Sequence, residues 1–462
     1  MYAKRDFEVK FTKTEVVAAA LPMQEHWLPL SNLDLLLPPV DVGVFFCYKN
    51  KPNEFTFGHM VAVLKKALAQ TLVSYYAFSG RLVKNTAGEP ELLCNNSGVD
   101  FVEAFADVEF KDVNLYNPDE SVEGKLVPVR KRGVLAVQAT QLKCGGLVVA
   151  CTFAHQVADA CSANMFLVSW AEMAQFKPLS QPPSFRRSLL LPRRPGAYQP
   201  SVDNMYIPVS SLPPPEDQFE DEDQAAALSR IYYIKSDLIS ELQTLANTDN
   251  NENNKRRTKL EAFCAFLWKT VVSSRGFAGD NYCRLGIVVD GRSRLIDGDE
   301  KQAKLISSYF GNVLSIPFGQ KKIAELNEKP LNWVAREVHE FLQTAVTKEH
   351  FLELIDWVEK HRPEQALSKI YATRVTEEEP AVVVSSGLHF PVRKMDFGWG
   401  LPVFGSYHFP WGGKSGYVMP MPSPKGNGDW IVYLHLLKGQ LELIESEAAH
   451  VFNPLDSDYL CF

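Results

Sequence analysis

The sequence lacks the cysteine spacing, the long apolar runs and the positive charge that mark several common classes of protein. Its 8 cysteines are scattered and none forms a C-x-x-C pair, so we expect neither a zinc site nor a disulfide framework. The longest apolar runs, such as 147–154, are far shorter than the roughly 20 residues that span a bilayer. The net charge is −7 at pH 7, which leaves no broad basic surface for nucleic acid. These absences indicate a globular protein of a reducing compartment that binds neither membranes nor nucleic acid.

Other absences narrow the location and the chemistry. The first residues contain no apolar segment of the signal-peptide type, so we expect a cytoplasmic protein. The G-x-S-x-G elbow of many serine hydrolases does not occur, and neither does a glycine-rich phosphate loop. A local cationic pocket for a phosphorylated co-substrate remains compatible with the overall negative charge.

The pattern of apolar residues predicts a mixed α/β protein in two parts. Apolar residues over 61–72 have the spacing of one face of a helix, and short strand-like apolar runs follow. Predicted helices and strands also alternate in the second half of the 462 residues. Prolines and then acidic residues concentrate in 192–225, a composition that cannot bury a core of its own. We therefore predict two similar α/β domains, 1–191 and 226–462, joined by a crossover loop over 192–225. The predicted helices include 160–173, 237–246, 260–272, 331–346 and 351–360, and the predicted strands include 45–48, 147–154, 229–234, 284–289, 381–385 and 430–436.

A histidine followed four residues later by an aspartate, His155 and Asp159, is the first candidate for chemistry. Histidine suits general base catalysis because its unperturbed pKa lies near neutrality. His155 stands where a buried strand ends and a helix should begin, and functional groups collect at such strand ends. The other interpretation is a histidine of the core or of a helix start, since about 0.5 such patterns are expected by chance in a chain of this size. Asp159 can point either way from a tight turn.

The second candidate is the run Asp396–Gly400, which reads Asp-Phe-Gly-Trp-Gly. Two glycines, Gly398 and Gly400, flank Trp399 and predict a sharp bend or a close approach of the backbone. Asp396 can tie such a bend through side-chain hydrogen bonds. The indole N–H is only a donor, and in a closed site it can stabilise a developing oxyanion. The other interpretation is a buried tryptophan in a glycine-rich bend.

These two motifs, in this order and far apart in the chain, together resemble the BAHD family of plant acyl-CoA-dependent acyltransferases. Two further segments agree with that family, YYAFSGRL at 75–82, with Ala77 in place of the usual proline, and YFGN at 309–312. The resemblance therefore covers essentially the whole chain. Within the family, the segments 27–34 and 404–411 look like the coniferyl alcohol acyltransferase branch.

The resemblance implies a fold and a division of roles. It implies two mixed-sheet domains of the chloramphenicol acetyltransferase-like type, with a channel between them. His155 would be the general base and Trp399 would stabilise the oxyanion. Asp159 would face away from the site and pair with an arginine, for which Arg292 and Arg294 are the candidates, so its role would be structural.

A basic run precedes the helix predicted to begin at residue 260. A helix N-terminus favours anions, and in related enzymes a corresponding loop and helix start contact CoA. The resemblance therefore implies CoA contacts from Lys255, Arg257, Thr258 and Lys259. A solvated basic loop is the other interpretation.

One departure from the family concerns the acceptor. Many members carry S-W-x-R-F-P, whereas 386–391 reads SGLHFP, so Gly387 replaces a bulky tryptophan and His389 replaces an arginine. The smaller residue predicts a wider pocket. Losing a permanent cation weakens the case for an anionic acceptor. We place Gly387, His389 and Asn312 in the candidate substrate pocket.

The resulting hypothesis is acyl transfer from acyl-CoA, as co-substrate, to a hydroxyl group, with an ester and free CoA as products. The acyl group would be aromatic or short and aliphatic. The mechanism would need no metal, no permanently bound cofactor and no covalent acyl-enzyme, and the protein would act as a monomer on small molecules. The alternatives are amide formation on an amine acceptor and a catalytically silent protein that binds CoA or a metabolite.

Overall fold

The computed structural model describes residues 7–49, 54–212, 227–248, 256–272, 281–296, 298–372, 379–413 and 415–460. The strands are β1 (Val9–Val17), β2 (His26–Pro29), β3 (Asp41–Tyr48), β4 (Arg81–Lys84), β5 (Pro90–Cys94), β6 (Val99–Ala106), β7 (Leu135–Leu142), β8 (Leu147–Ala154), β9 (Tyr206–Pro208), β10 (Ala227–Ile234), β11 (Tyr282–Asp290), β12 (Leu314–Ser315), β13 (Phe318–Lys322), β14 (Ala366–Ser368), β15 (Ala381–Ser385), β16 (Phe404–His408), β17 (Gly416–Pro422), β18 (Trp430–Leu437) and β19 (Asn453–Pro454). The helices are α1 (Phe57–Ser74), α2 (Pro118–Ser121), α3 (Ala160–Ala174), α4 (Ser201–Met205), α5 (Ser236–Leu245), α6 (Lys259–Thr270), α7 (Glu300–Ser307), α8 (Ile323–Glu328), α9 (Leu331–Gln343), α10 (Lys348–His361), α11 (Lys369–Ala372) and α12 (Lys438–Glu447). Among the residues that the structure describes, no helix combines the length and apolar character needed to cross a bilayer.

The first large sheet has the strand order β1-β6-β7-β8-β3-β16. Only β6 and β7 run parallel, and the other neighbours are antiparallel. All eight residues of β8 are buried, which explains why its sequence is a continuous apolar run without alternation. Residues of α1 and α3 belong to the same apolar core as this sheet. The strand β8 therefore ends at Ala154 in a rigid setting, and His155 follows it directly.

The second large sheet has the order β12-β11-β15-β17-β18-β10-β19, with β13 also paired to β11. The three strands β11, β15 and β17 run parallel, and the remaining pairs are antiparallel. Helices α5, α6, α9 and α12 share its main apolar core. The α/β class is confirmed, and so are the predicted helices and strands named above, with bounds that shift by a few residues.

One strand crosses the predicted division of the chain. β16 lies in the second half of the sequence but pairs antiparallel with β3, so it completes the first sheet. The pattern of a single strand does not reveal which sheet will accept it, because that depends on pairing with distant residues. The described part of the predicted crossover contains α4 and β9, and β9 pairs with β14 of the second half. The boundaries of the two domains stay a prediction.

Candidate active site

A cavity of about 530 Å³ opens between the two halves of the molecule, and His155 is on its wall. Both halves contribute, because Val40 and Asn164 come from the first and Val288 and Ser385 from the second. The lining is mainly apolar, as expected of a site for a small organic molecule. Its aromatic members are Phe153, Tyr371, Phe390, Tyr407, Phe409, Trp411 and Tyr417.

His155 is held at the point where β8 ends. Its backbone N–H donates to the carbonyl oxygen of Val40 at 2.9 Å. Burial lowers the pKa of His155 below the ordinary histidine value, so the ring is neutral at neutral pH. His155 lines the cavity, and because its ring nitrogen Nδ1 is buried without a hydrogen-bond partner, we assign Nε2 as the nitrogen that faces the cavity. A neutral imidazole with an accessible nitrogen can accept a proton from a bound nucleophile.

Asp159 is the N-cap of α3 and pairs with Arg292 behind the cavity. Its Oδ1 accepts from the backbone N–H of Ser162 at 2.8 Å. The Arg292 guanidinium donates to Oδ2 at 2.7 Å and to Oδ1 at 3.1 Å, and the two side chains are 4 % and 0 % exposed. Arg294, the other candidate partner, is exposed. The four-residue spacing therefore combines a base at a strand end with a helix cap that is fixed by a buried ion pair.

Arg292 and Ser162 both donate to one backbone oxygen of the second half, and the bond from Ser162 joins the two halves. The Arg292 guanidinium donates to the carbonyl oxygens of Tyr309 and Gly311, at 3.0 and 2.9 Å, in the second half. Ser162 of α3 donates to the same Gly311 oxygen at 2.8 Å. The buried charges are thus compensated by a full set of partners, which is the condition under which such pairs are tolerated.

The structure corrects the role predicted for Trp399. Trp399 does not line the cavity. Its ring packs against those of Phe397 and Tyr48, with centroid distances of 5.7 and 6.1 Å, and its indole N–H is buried without a hydrogen-bond partner. A donor outside the cavity cannot reach an oxyanion formed inside it. The sequence pattern was misleading here because a glycine-flanked indole suits a packed bend as well as a site.

The bend that contains Trp399 is built as the sequence suggested. Asp396 Oδ1 accepts from the backbone N–H groups of Gly398 and Gly400, at 2.8 and 2.9 Å. These glycines have φ values of +110° and +105°, which other residues rarely adopt. The Asp396 carbonyl oxygen accepts from the Gln175 side chain just after α3. The bend is therefore fixed to the first half shortly before β16 begins.

The three residues assigned to the substrate pocket separate in the structure. Gly387 and His389 line the cavity. A Cβ atom at Gly387 would lie 2.7 Å from Met421 Cγ and 3.0 Å from Met419 Cγ, so this glycine permits close packing by β17 rather than leaving space for a larger side chain. Asn312 is 0 % exposed and does not line the cavity. We therefore correct the placement of Asn312, whose polar side chain is used for internal hydrogen bonds.

The predicted CoA contacts lie at the start of α6. Lys255 is outside the described residues. Arg257 is buried, whereas Thr258 and Lys259 are exposed. The Thr258 hydroxyl accepts from the backbone N–H of Glu261 and caps α6. None of these three residues lines the cavity, and their contact with CoA stays a prediction.

Several polar groups on the cavity wall are not among the site residues assigned from the sequence. The Tyr407 hydroxyl donates to Asn164 Oδ1 at 2.8 Å, and both residues line the cavity. Ser385 and Tyr417 add two more hydroxyl groups to the same wall. The sequence does indicate part of this wall, because four aromatic residues fall within 404–411 and such a cluster can line a pocket. Their facing could be assigned only once the sheet partner of β16 was known.

Comparison with known proteins gives a consistent family. Residues 7–451 match the model described as the Transferase family. The chain is 29 % identical over 449 residues to the shikimate O-hydroxycinnamoyltransferase of Nicotiana tabacum, which covers 95 % of this chain and 98 % of that protein. It is 28 % identical to anthranilate N-benzoyltransferase protein 1 of Dianthus caryophyllus, over 92 % of this chain and 95 % of that one.

Solved structures agree on the fold. Vinorine synthase superposes with a TM-score of 0.68 at 20 % identity, over 97 % of this chain and 99 % of that one. TRI101 of F. graminearum, complexed with coenzyme A and T-2 mycotoxin, superposes with a TM-score of 0.74 at 14 % identity, over 92 % and 99 % of the two chains. The arrangement of two mixed sheets is therefore a fold that this chain shares with these solved structures.

Proposed function

This chain belongs to the Transferase family of BAHD acyl-CoA-dependent acyltransferases, and we propose that it forms an ester between an acyl group of acyl-CoA and the hydroxyl of a neutral specialised metabolite. The observation that supports this most is His155, a base of lowered pKa on the wall of an aromatic cavity. No resident cofactor enters the mechanism, and acyl-CoA is consumed as a co-substrate.

The reaction can be written with His155 as the group that moves the proton. His155 Nε2 takes the proton of the acceptor hydroxyl, and the oxygen of that hydroxyl attacks the carbonyl carbon of the thioester. The tetrahedral intermediate collapses, the C–S bond breaks, and the CoA sulfur leaves as thiolate or receives that proton as thiol. Because Trp399 lies elsewhere, the candidate oxyanion donors are the groups on the cavity wall, Asn164, Ser385 and Tyr417.

The charge of the cavity favours a neutral acceptor. Among the described residues that line it, Lys394 is the one lysine or arginine, and Asp290 adds a carboxylate. An anionic acceptor would need a permanently charged side chain to pair with its anionic group, such as the arginine that many family members have at the position of His389. The aromatic lining suits a planar acyl or acceptor group, for which a hydroxycinnamoyl donor or a phenylpropanoid alcohol is the best match. A short aliphatic acyl group is also compatible.

Amide formation is the second candidate function. Relatives of similar identity carry both kinds of name, O-hydroxycinnamoyltransferase and N-benzoyltransferase. His155 can deprotonate an attacking amine as well as a hydroxyl, so the catalytic group is the same in both reactions. The acceptor is therefore the point on which the proposal must be tested.

The test is release of free thiol from a panel of aromatic and aliphatic acyl-CoAs, each with pooled alcohols or pooled amines. Mass spectrometry then identifies the product. We expect acceptor-dependent thiol release and the mass of an ester. An amide mass from the amine pool alone would replace the first candidate with the second. Thiol release that is independent of any acceptor would contradict both.

We further propose that the protein acts as a monomer in the cytoplasm. A small-molecule donor and acceptor would be its partners, and described residues from both halves of this chain line the cavity that would receive them. Light scattering coupled to size-exclusion chromatography tests this point, with the mass of one chain, 51.9 kDa, as the expected value.

A further inference from the structure

Asn164 and Tyr407 are joined by a hydrogen bond on the cavity wall and keep further hydrogen-bonding capacity. Asn164 belongs to α3 and Tyr407 to β16, and both line the cavity. The Tyr407 hydroxyl donates to Asn164 Oδ1 at 2.8 Å. Tyr407 is 1 % exposed, and Asn164 is half-buried. Throughout the described residues, neither side chain makes a second hydrogen bond, so the rest of their polar capacity is available to a molecule in the cavity.

The pair offers one donor and one acceptor to such a molecule. The tyrosine hydroxyl has a single hydrogen, which Asn164 Oδ1 accepts, so the tyrosine oxygen can still accept and Asn164 Nδ2 can still donate. With the amide turned over, Nδ2 would donate to the tyrosine oxygen, and one O–H donor and one amide oxygen would remain. Both orientations suit a hydroxyl group, which donates and accepts. A carboxylate only accepts and an ammonium only donates, so neither satisfies the pair.

Apolar side chains surround this polar pair. The Tyr407 ring packs against the ring of Phe390, with a centroid distance of 5.1 Å, and Met165 and Val168 of α3 line the same cavity. A bound molecule that covers the pair without a polar group of its own would leave a donor and an acceptor unpaired, which costs free energy. A molecule with a hydroxyl at this point avoids that cost. The pair therefore favours hydroxylated substrates over otherwise identical ones that lack the hydroxyl.

The spacing along α3 and β16 separates the pair from the base by about one helical turn. His155 lies just before α3, and Asn164 is four residues after Ala160, the first residue of the helix, which corresponds to about 6 Å along the helix axis. Phe409, whose ring centroid is 6.1 Å from that of His155, follows Tyr407 by two residues, or about 7 Å along an extended chain. The two elements give a similar separation. A hydroxyl bound by the pair is therefore beyond hydrogen-bond reach of the base and is not the one that reacts.

We propose that Asn164 and Tyr407 are specificity-determining residues that bind a second hydroxyl group of the substrate, on the far side of an aromatic ring from the reacting group. This inference rests on the proposed function. The second hydroxyl belongs to the acyl group or to the acceptor, and the aromatic lining beside the base suits a phenol. With Asn164 assigned to substrate recognition, Ser385 and Tyr417 are left as the candidate oxyanion donors.

Matched substrates test the proposal on the unmodified protein. The donors are para-hydroxycinnamoyl-CoA and cinnamoyl-CoA, and the acceptors are para-hydroxycinnamyl alcohol and cinnamyl alcohol, so each pair differs by a single hydroxyl. We expect kcat/KM, measured by thiol release, to be about 10–100-fold higher for the hydroxylated member of one pair, because its analogue leaves buried polar groups unpaired.

The pair that shows this preference identifies the source of the hydroxyl. Preference within the donor pair assigns it to the acyl group, and preference within the acceptor pair assigns it to the acceptor. Ratios near one in both pairs, or acyl transfer that excludes every hydroxylated member, would overturn the proposal, whether or not any variant folds.

Tyr407→Phe and Asn164→Leu test the two residues themselves. Tyr407→Phe removes one oxygen and keeps the ring, whereas Asn164→Leu keeps the volume and removes the amide. In each variant we expect the ratio of kcat/KM between the hydroxylated substrate and its analogue to fall about tenfold. A general loss of packing would lower kcat/KM for both members of a pair and leave their ratio unchanged. An unchanged ratio in both variants would overturn the proposal.

Tyr433→Phe is the matched control. Tyr433 is also a fully buried tyrosine, and its hydroxyl forms a hydrogen bond of 3.0 Å with Ser229 Oγ, but it does not line the cavity. The ratio should be the same in this control as in the natural protein. An equal fall in the control would overturn the proposal, because the ratio would then report packing rather than recognition.

The proposed function fails in a different way. If no acyl-CoA releases thiol with any alcohol or amine, acyl transfer itself is wrong. Acyl transfer that proceeds without preference for the hydroxyl is the failure of this inference alone.

Discussion

The turn at His155–Asp159 and the bend at Asp396–Gly400 are the two recognisable motifs of this chain, and the structure uses them differently. The turn opens onto the cavity at the end of β8, with the ion pair of Asp159 and Arg292 behind it. The bend ties its own glycines through Asp396 and packs Trp399 against Tyr48, outside the cavity lining. The two motifs therefore differ in whether their side chains reach the cavity, although both contribute to the family resemblance of the sequence.

The bend still influences the site, by way of the strand that follows it. Four residues after Gly400, β16 begins and pairs with β3 of the first sheet. Along that strand Tyr407 faces the cavity, whereas His408 on the opposite face contacts Glu123. A bend that fixes where β16 enters the sheet therefore fixes which side chains reach the cavity. The comparison predicts large kinetic effects from the turn and small ones from the bend.

Replacing His155 should give the largest effect. His155→Ala removes the only group on the cavity wall that we assign to proton abstraction, so kcat should fall about 10²–10⁴-fold while the fold is retained. Steady-state thiol release measures the loss, and binding of CoA by calorimetry shows whether the protein is intact. If His155→Ala keeps the kcat of the natural protein, the turn has no larger role in catalysis than the bend.

The ion pair behind the turn should dominate stability. Arg292→Leu leaves the Asp159 carboxylate buried without its cation, and we expect a loss of about 3–5 kcal/mol in the free energy of unfolding. Urea denaturation measures this. Arg294→Leu is the matched control at an exposed position and should change stability by no more than about 0.5 kcal/mol. Similar losses in the two variants would mean that the buried pair has no special weight.

Much of this architecture could be predicted from the sequence because it depends on local patterns. The predicted helix 160–173 is Ala160–Ala174, and the predicted strand 381–385 has the same bounds in the structure. His155 was identified from its place after an apolar strand, which is a local signal too. Asp159 was recognised as a structural residue by resemblance, while the choice of Arg292 over Arg294 needed the fold.

What could not be predicted depends on contacts between distant parts of the chain. β1 escaped notice because it is an edge strand with mostly exposed residues, so no apolar alternation marks it. The facing of Tyr407 follows from the pairing of β16, and a shift of one residue would reverse it. Asn312 was placed in the pocket, although Asp34, the residue that explains it, is 278 positions away. Sequence spacing carries no information about such partners.

Breaking the bend should cost stability but little activity. Asp396→Ala removes the acceptor of two backbone N–H groups, for which we expect a loss of about 1–2 kcal/mol in the free energy of unfolding. The kcat should stay within about threefold, measured by thiol release at saturating substrates. Asp396→Asn keeps an acceptor oxygen and should recover most of the stability. A loss of kcat as large as that of His155→Ala would place the bend in the catalytic machinery.

The smallest effect is expected from Trp399→Phe, which nevertheless tests the comparison most directly. The substitution keeps an aromatic ring against Phe397 and Tyr48 and removes an indole N–H that has no partner, so stability should change by less than about 1 kcal/mol. The kcat should stay within about twofold. An oxyanion donor would instead cost about 10²–10³-fold in kcat. The acid limb of the pH profile of kcat/KM should be the same in Trp399→Phe as in the natural protein. In both proteins this limb should lie below the ordinary histidine pKa, because burial lowers the pKa of His155 and the ring therefore stays neutral to lower pH. A hundredfold loss of kcat in Trp399→Phe would instead show that Trp399 stabilises the oxyanion and that the bend belongs to the catalytic site.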